Sequence, residues 1–273
     1  MIPHDFITEW RAHAPWVSDL QVEQDLVISR ALVELFARPG IAEGLAFRGG
    51  TALYKLHLRP AARYSEDIDL VQVVGGPIGP VLKEIHAALD PWLGEPKWKQ
   101  GEGRVTFVYR FESEGPPAIP MKLKVEINTR EHFTVFGHRE RRFEVASRWF
   151  SGTAGILTYE LDELLGTKLR ALFQRRKGRD LFDLAHALRS GDVEPKRVVE
   201  AFSRYMAEEE NRVTRAVFER NLALKRRDPI FAGDITPLLA PGYRWDMETA
   251  MTPVPGGMAQ TGAEARSAIR VSS

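Results

Sequence analysis

Between residues 20 and 37 (LQVEQDLVISRALVELFA), apolar positions recur at helical spacing. Val22, Leu26, Ile28, Leu32, Leu35 and Phe36 cover most of the wheel, and Glu23, Arg30 and Glu34 mark a narrow polar face. The pattern predicts a largely buried helix, ended by Pro39-Gly40. Asp25 falls near Leu32 and Phe36, away from the polar face, so its carboxylate needs a partner or a role. A satisfied structural aspartate is the ordinary reading. Residues 44–47 predict a short core strand, Gly49-Gly50-Thr51 a turn, residues 52–57 a helix and residues 65–74 a second strand. Ile78, Val81, Leu82, Ile85 and Leu89 predict a helix over 78–93. Strict alternation predicts strands over 104–112 and 121–128, with a proline-containing loop between them.

From about Leu157 the periodicity becomes helical. Residues 158–174 and 180–191 each suit a helix, with RRKGR between them, and residues 195–227 predict a long, charged helical region. The stretch from about Thr252 is rich in Gly, Ala, Ser and Pro, a composition that predicts disorder. The expected plan is α+β: a mixed sheet with flanking helices over 1–155, a helical domain over 156–250, and a tail over 251–273.

Composition narrows the function classes. Of 273 residues, 44% are hydrophobic and 27% charged, as in an ordinary globular chain. A net charge of +1 carries no global signal for nucleic acid, so any basic surface must come from local clustering. The absence of cysteine excludes disulfides and thiolate chemistry. No apolar run has the length of a membrane span, and the first residues lack a basic start followed by an apolar stretch. A cytoplasmic protein with no membrane partner is the expectation.

The chemistry concentrates in residues 47–76. In a strand, Ser65, Asp67 and Asp69 share one face, while Glu66, Ile68 and Leu70 share the other. Two carboxylates side by side repel, and a divalent cation relieves the repulsion; hard oxygen donors suit Mg²⁺ or Mn²⁺. Upstream, Gly49 and Gly50 let the backbone approach a ligand, and the helix start offers free N–H groups to a phosphate. Thr51 suits either a cap or a phosphate donor. Downstream, Met121, Leu123, Val125 and Ile127 face one way, and Lys122, Lys124, Glu126 and Asn128 the other. Glu126 stands as either a third metal ligand or part of an ordinary polar outer face. Three carboxylates around two cations would suit in-line phosphoryl displacement.

The segments VEQDLVISRAL, FRGGTALYKL, RYSEDIDL, KVEIN and KLRALFQRRKGRDLFDL, in that order, resemble the AbiEii/AbiGii toxin family of bacterial nucleotidyltransferases, within the DNA polymerase β-like superfamily. The resemblance spans about Gln21 to Leu188. It departs at Arg48, where many relatives carry lysine before the glycine pair. The resemblance implies transfer of a nucleoside monophosphate from an NTP to an RNA hydroxyl, that of the 3′ end of tRNA, and a cognate antitoxin encoded nearby. It implies Asp67, Asp69 and Glu126 as metal ligands, with Arg48, Gly49, Gly50, Thr51, Ser65 and Lys168 contacting the nucleotide. Lys168 falls among Leu161, Leu164, Leu165 and Leu172, where an ammonium needs a partner or a ligand unless it snorkels to the rim. Asp180 suits an ordinary N-cap, and the resemblance adds an active-site role in nucleotide contact or acceptor activation. Three basic clusters are candidates for RNA phosphates: Arg139, Arg141 and Arg142; Arg175, Arg176, Lys177 and Arg179; and Lys225, Arg226 and Arg227. Trp92, Trp98, Phe133 and Phe136 suit base stacking or, for most of them, core packing. Alternatives are transfer to a small molecule, or a non-catalytic module that binds NTP or RNA.

Overall fold

The computed structural model describes residues 2–252, apart from 116 and 191. The expected tail, from 253 onward, lies outside the described residues. The chain divides into two compact units, Met1–Tyr159 and Glu160–Ser273.

The first unit opens with α1 (His4–Trp10) and α2 (Asp19–Phe36), the latter started by a capping box at Ser18. Its buried face is wider than the sequence pattern predicts. Glu23, placed on the polar face by periodicity, is buried, with one carboxylate oxygen accepting from the Glu114 N–H. Burial pushes the Glu23 carboxyl above its ordinary pKa. Asp25 takes the structural part: it accepts from the indoles of Trp10 (2.9 Å) and Trp16 (3.1 Å) and from Lys55 (2.6 Å). Pro39-Gly40, expected only to stop α2, instead starts α3 (Pro39–Gly44), because proline at the first position of a helix leaves no hydrogen bond unmade.

A seven-stranded mixed sheet follows, with α4 (Gly49–Ala52) inserted after β1 (Leu45–Arg48). A π-type turn over Leu53–His57 continues α4. Next come β2 (Asp67–Gln72), α5 (Gly79–Leu93), β3 (Lys97–Gly101), β4 (Arg104–Glu112), β5 (Pro120–Asn128), β6 (His138–Ala146) and β7 (Ser151–Tyr159). The spatial order is β3-β4-β5-β2-β1-β7-β6. β2 pairs with β5, and β1 with β7, in parallel; the other pairings are antiparallel. Ile68, Leu70, Val125, Ile127, Val105 and Phe107 are buried on one face, leaving the opposite face to the polar series. Residues 157–159, expected to be helical, complete β7.

The second unit is helical: α6 (Leu161–Gln174), α7 (Gly178–Ser190), α8 (Pro195–Glu208), α9 (Arg215–Lys225), α10 (Pro229–Gly233) and α11 (Met247–Met251). The helical region expected over 195–227 is built of two helices, with Glu210 at a φ of +57° between them. α6 and α8 cross at Gly166, where a Cβ would lie 2.5 Å from the Ala201 Cβ and 3.0 Å from the Phe202 nitrogen.

Candidate active site

β2 places Asp67 and Asp69 on the open face of the sheet, two residues apart. On one side Asp69 is the register partner of Arg48 in β1; on the other it is the partner of Glu126 in β5. Asp67 is the partner of Lys124. Arg48, Asp69 and Glu126 therefore form one row across three adjacent strands. The parallel pairing of β2 with β5 creates this row, which joins residues far apart in the chain.

The turn at Gly49-Gly50 exists because these side chains are absent. Gly49 has a φ of +83°, and a Cβ there would collide with the Asp69 carboxylate. A Cβ on Gly50 would lie 2.6 Å from Arg63 Nη2 and 2.9 Å from Ser65 Oγ. Thr51 Oγ1 donates to the Asp67 carbonyl at 2.6 Å, which leaves it to accept from Ser65 Oγ at 2.9 Å. The Thr51 hydroxyl thus ties the glycine turn to the start of the aspartate strand. Arg63 is buried, donates to the Tyr64 carbonyl at 2.9 Å and lies 5.2 Å from the Tyr54 ring centre.

Cations already surround these carboxylates. Lys124 Nζ lies 3.0 Å from Glu126 Oε2 and 3.9 Å from Asp67 Oδ2, and Arg104 is 3.7 Å from Glu126. Burial disfavours the Lys124 charge, but its hydrogen bond to Glu126 and the nearby carboxylates hold its pKa above the ordinary value. Arg48 bonds to Glu131. Asn128 Oδ1 sets that partner in place by accepting the Arg130 and Glu131 N–H groups, each at 2.9 Å. Burial again works against the charge, while Glu131, Tyr159 and Asp69 raise the Arg48 pKa. Sequence periodicity named Glu126 but missed Lys124, which it placed on the same face without assigning it a role.

Among the described residues, no three of His, Asp and Glu come close enough to form a metal site by themselves. Two carboxylates on one strand face nevertheless fit Mg²⁺, which commonly binds one or two carboxylates and completes its shell with substrate phosphates and water. Glu126, directly beside Asp69, is engaged by Lys124 and Arg104.

In the helical unit, Lys168 is buried and does not snorkel. Its Nζ lies 3.3 Å from Asp180 Oδ1 and 3.0 Å from Asp183 Oδ2. Arg175 grips Asp180 through Nε (2.7 Å) and Nη2 (2.8 Å). Burial pushes the Asp180 carboxyl up, but Lys168 and Arg175 outweigh it, and its pKa falls below the ordinary value. Asp180 is not the N-cap expected from the sequence. The helix starts at Gly178, and Asp180 sits inside the first turn with both oxygens committed to cations. Asp234, 55 residues away, accepts the Arg179 N–H instead. Arg175 is half exposed, so it is the member of this cluster that meets solvent.

Two of the expected basic clusters are weaker than they look in sequence. Lys225 is buried and donates to the Leu172 and Phe173 carbonyls at the end of α6; Arg226 is paired with Glu248. Arg176, Lys177 and Arg179 lie within 3.4–3.7 Å of Asp228 or Asp234. Arg141 and Arg142 are exposed on β6, an edge strand, with Arg142 paired to Glu144.

A family profile described as nucleotidyl transferase AbiEii toxin, type IV toxin–antitoxin system, matches residues 30–252, most of the chain. The chain belongs to the AbiEii nucleotidyltransferase toxin family. It is a nucleotidyltransferase by that membership. Among solved structures, it is similar to the nucleotidyltransferase toxin MenT4 from Mycobacterium tuberculosis H37Rv. The TM-score is 0.65 at 17% identity, over 97% of this chain and 92% of that one. JHP933 from Helicobacter pylori is similar at a TM-score of 0.54 and 17% identity, over 91% of each chain. A comparison with curated proteins finds no match. AbiEii membership agrees with the mixed α+β fold. No described helix is long and apolar enough to cross a membrane.

Proposed function

We propose that this AbiEii-family chain transfers a nucleoside monophosphate from an NTP to the 3′ end of a tRNA, and that the blocked tRNA stops translation as part of a phage-defence response. The observation that carries the proposal is Asp67 and Asp69 on one strand face, with Gly49 packed against Asp69, so that a phosphate held at the glycine turn would lie beside the carboxylates.

Asp67 and Asp69 would hold Mg²⁺ or Mn²⁺, with Glu126 as the third carboxylate; a bound cation would offset the charge that develops on the phosphoryl oxygens. Backbone N–H groups at Gly49 and Gly50 face the NTP phosphates, with Ser65 beside them. Thr51 holds this turn against β2. Arg48 adds a fixed charge at the end of the row. Lys168, the nucleotide-contacting lysine that the family pattern implies, sits with the half-exposed Arg175 in the helical unit. Asp180, fully enclosed and ionised between them, suits positioning better than proton transfer, since a carboxylate with a lowered pKa is a poor base. A cognate antitoxin encoded by a neighbouring gene completes the system.

The test is transfer of label from α-labelled NTPs to bulk tRNA in Mg²⁺. Transfer should be abolished by Asp69→Ala and by chelation. Absent transfer in the parent, or undiminished transfer in Asp69→Ala, defeats the proposal.

A further inference from the structure

The strand register carries the carboxylate face outward to the free edge at β3. Glu126 pairs with Thr106, and Thr106 with Lys99; Lys124 pairs with Val108, and Val108 with Lys97. Lys122 pairs with Arg110, and Asn128 with Arg104. Directly paired residues project to the same side of a sheet. Lys97, Lys99, Arg104, Arg110, Lys122 and Lys124 therefore share the face of Asp67 and Asp69. On these three strands that face carries only two acids, Glu112 and Glu126. Lys124 and Arg104 are matched by Glu126. Lys97, Lys99, Arg110 and Lys122 are exposed and have no carboxylate partner among the described residues.

The pairing of Arg110 with Lys122 puts like charges directly opposite each other, which costs stability. Lysines on an edge strand can serve only to block pairing with another sheet, and that explanation would cover Lys97 and Lys99. It does not explain why Arg110 and Lys122, which pair with each other just beyond the ends of β3 and β2, set two cations directly opposite one another. A ligand of opposite charge accounts for both.

We infer that this face is the track of the acceptor RNA, whose phosphodiester backbone runs from the β3 edge over β4 and β5 toward Asp67 and Asp69. The inference rests on the nucleotidyl-transfer reading, and it adds where the RNA lies. From β3 to β2 is three strand spacings, roughly 14 Å, within reach of a few nucleotides. The charge complementarity is to a polyanion rather than to a small acceptor.

The test measures binding of labelled bulk tRNA by fluorescence anisotropy against salt, without NTP, so that it stands apart from catalysis. The doubles Lys97→Gln/Lys99→Gln and Arg110→Gln/Lys122→Gln should each weaken binding about tenfold. Each should also flatten the plot of log affinity against log salt by about 1.4, as expected for two lost phosphate contacts. Lys83→Gln, exposed on α5, whose His86 and Asp90 contact Phe107 and Tyr109 on the opposite sheet face, should leave both unchanged. These side chains are exposed, and unchanged circular dichroism confirms the fold of each variant. Parent-like binding by both β3–β5 doubles overturns the inference, even where label transfer and its loss in Asp69→Ala uphold the function. Unchanged tRNA binding with lost binding of polyglutamate also overturns it, and assigns the face to an acidic protein.

Discussion

A missing side chain decides the geometry around Asp69. Gly49 combines a φ of +83° with contact to the Asp69 carboxylate, so Gly49→Ala meets a backbone penalty and a collision together. The expected outcome is a loss of about 1–3 kcal/mol in unfolding free energy and a fall in label transfer of at least about 100-fold, as misplaced catalytic groups give. Thermal unfolding and the transfer assay read these separately. Asp180 shows the reverse arrangement, a buried charge held by two cations. Asp180→Ala leaves Lys168 enclosed with one carboxylate fewer, and should cost about 3–5 kcal/mol. The pH dependence has a definite sign. The folded pKa lies below the unfolded one, so Asp180 contributes stability above pH about 3.9, which is lost as pH falls through the folded value. In urea titrations below pH 4, the parent should lose stability more steeply than Asp180→Asn.

At the scale of elements, the end of α6 depends on a residue three helices further along the chain. Lys225 on α9 donates to the Leu172 and Phe173 carbonyls, which have no acceptor role left within α6. Lys225→Met should cost about 1–3 kcal/mol through those unsatisfied carbonyls. Burial lowers the Lys225 pKa to about 8. The folded state therefore binds fewer protons than the unfolded state between pH 8 and about 10.4, and stability rises with pH across that window. Melting curves of the parent should gain on those of Lys225→Met from pH 8 to 10; a constant difference would refute the lowered pKa. The strands differ in how well the sequence shows them. β4 and β5 alternate cleanly because one face is buried and the other open. β3 is exposed along its whole length, and β6 carries five charged residues in nine, as an edge strand does to resist pairing with a neighbour. β3 has no hydrophobic period to detect, and β6 shows one only at Phe143 and Val145.

For the whole molecule, ligand linkage is the natural readout. On the proposed function, NTP with Mg²⁺ would bind the folded chain and not the unfolded one, and saturating concentrations should raise the melting temperature by on the order of 5 °C. The shift should vanish on chelation and in Asp67→Ala/Asp69→Ala. A shift that persists in that double variant would place the nucleotide away from the aspartate strand. Charge follows the same logic of scale. A net charge of +1 hides an open face with six basic residues on three strands, because those residues are dispersed at 97–99, 104–110 and 122–124. The clusters that are contiguous in sequence are largely taken up by Asp228, Asp234, Glu248 and helix carbonyls.

The sequence by itself determined the elements whose chemistry is local. These are the α2 helix, the glycine turn, the alternating faces of β2 and β5, and the pair Asp67 and Asp69, since spacing along one strand fixes which side chains share a face. Its ordered motifs also indicated the family. Only the tertiary structure decided which distant residues meet. Parallel pairing of β2 with β5 sets Glu126 beside Asp69 and Lys124 beside Asp67. Packing within the helical unit closes Lys168 between Asp180 and Asp183, and moves the capping role expected of Asp180 to Asp234. Strand register and helix packing arise from contacts between segments far apart in the chain, and no local period encodes them.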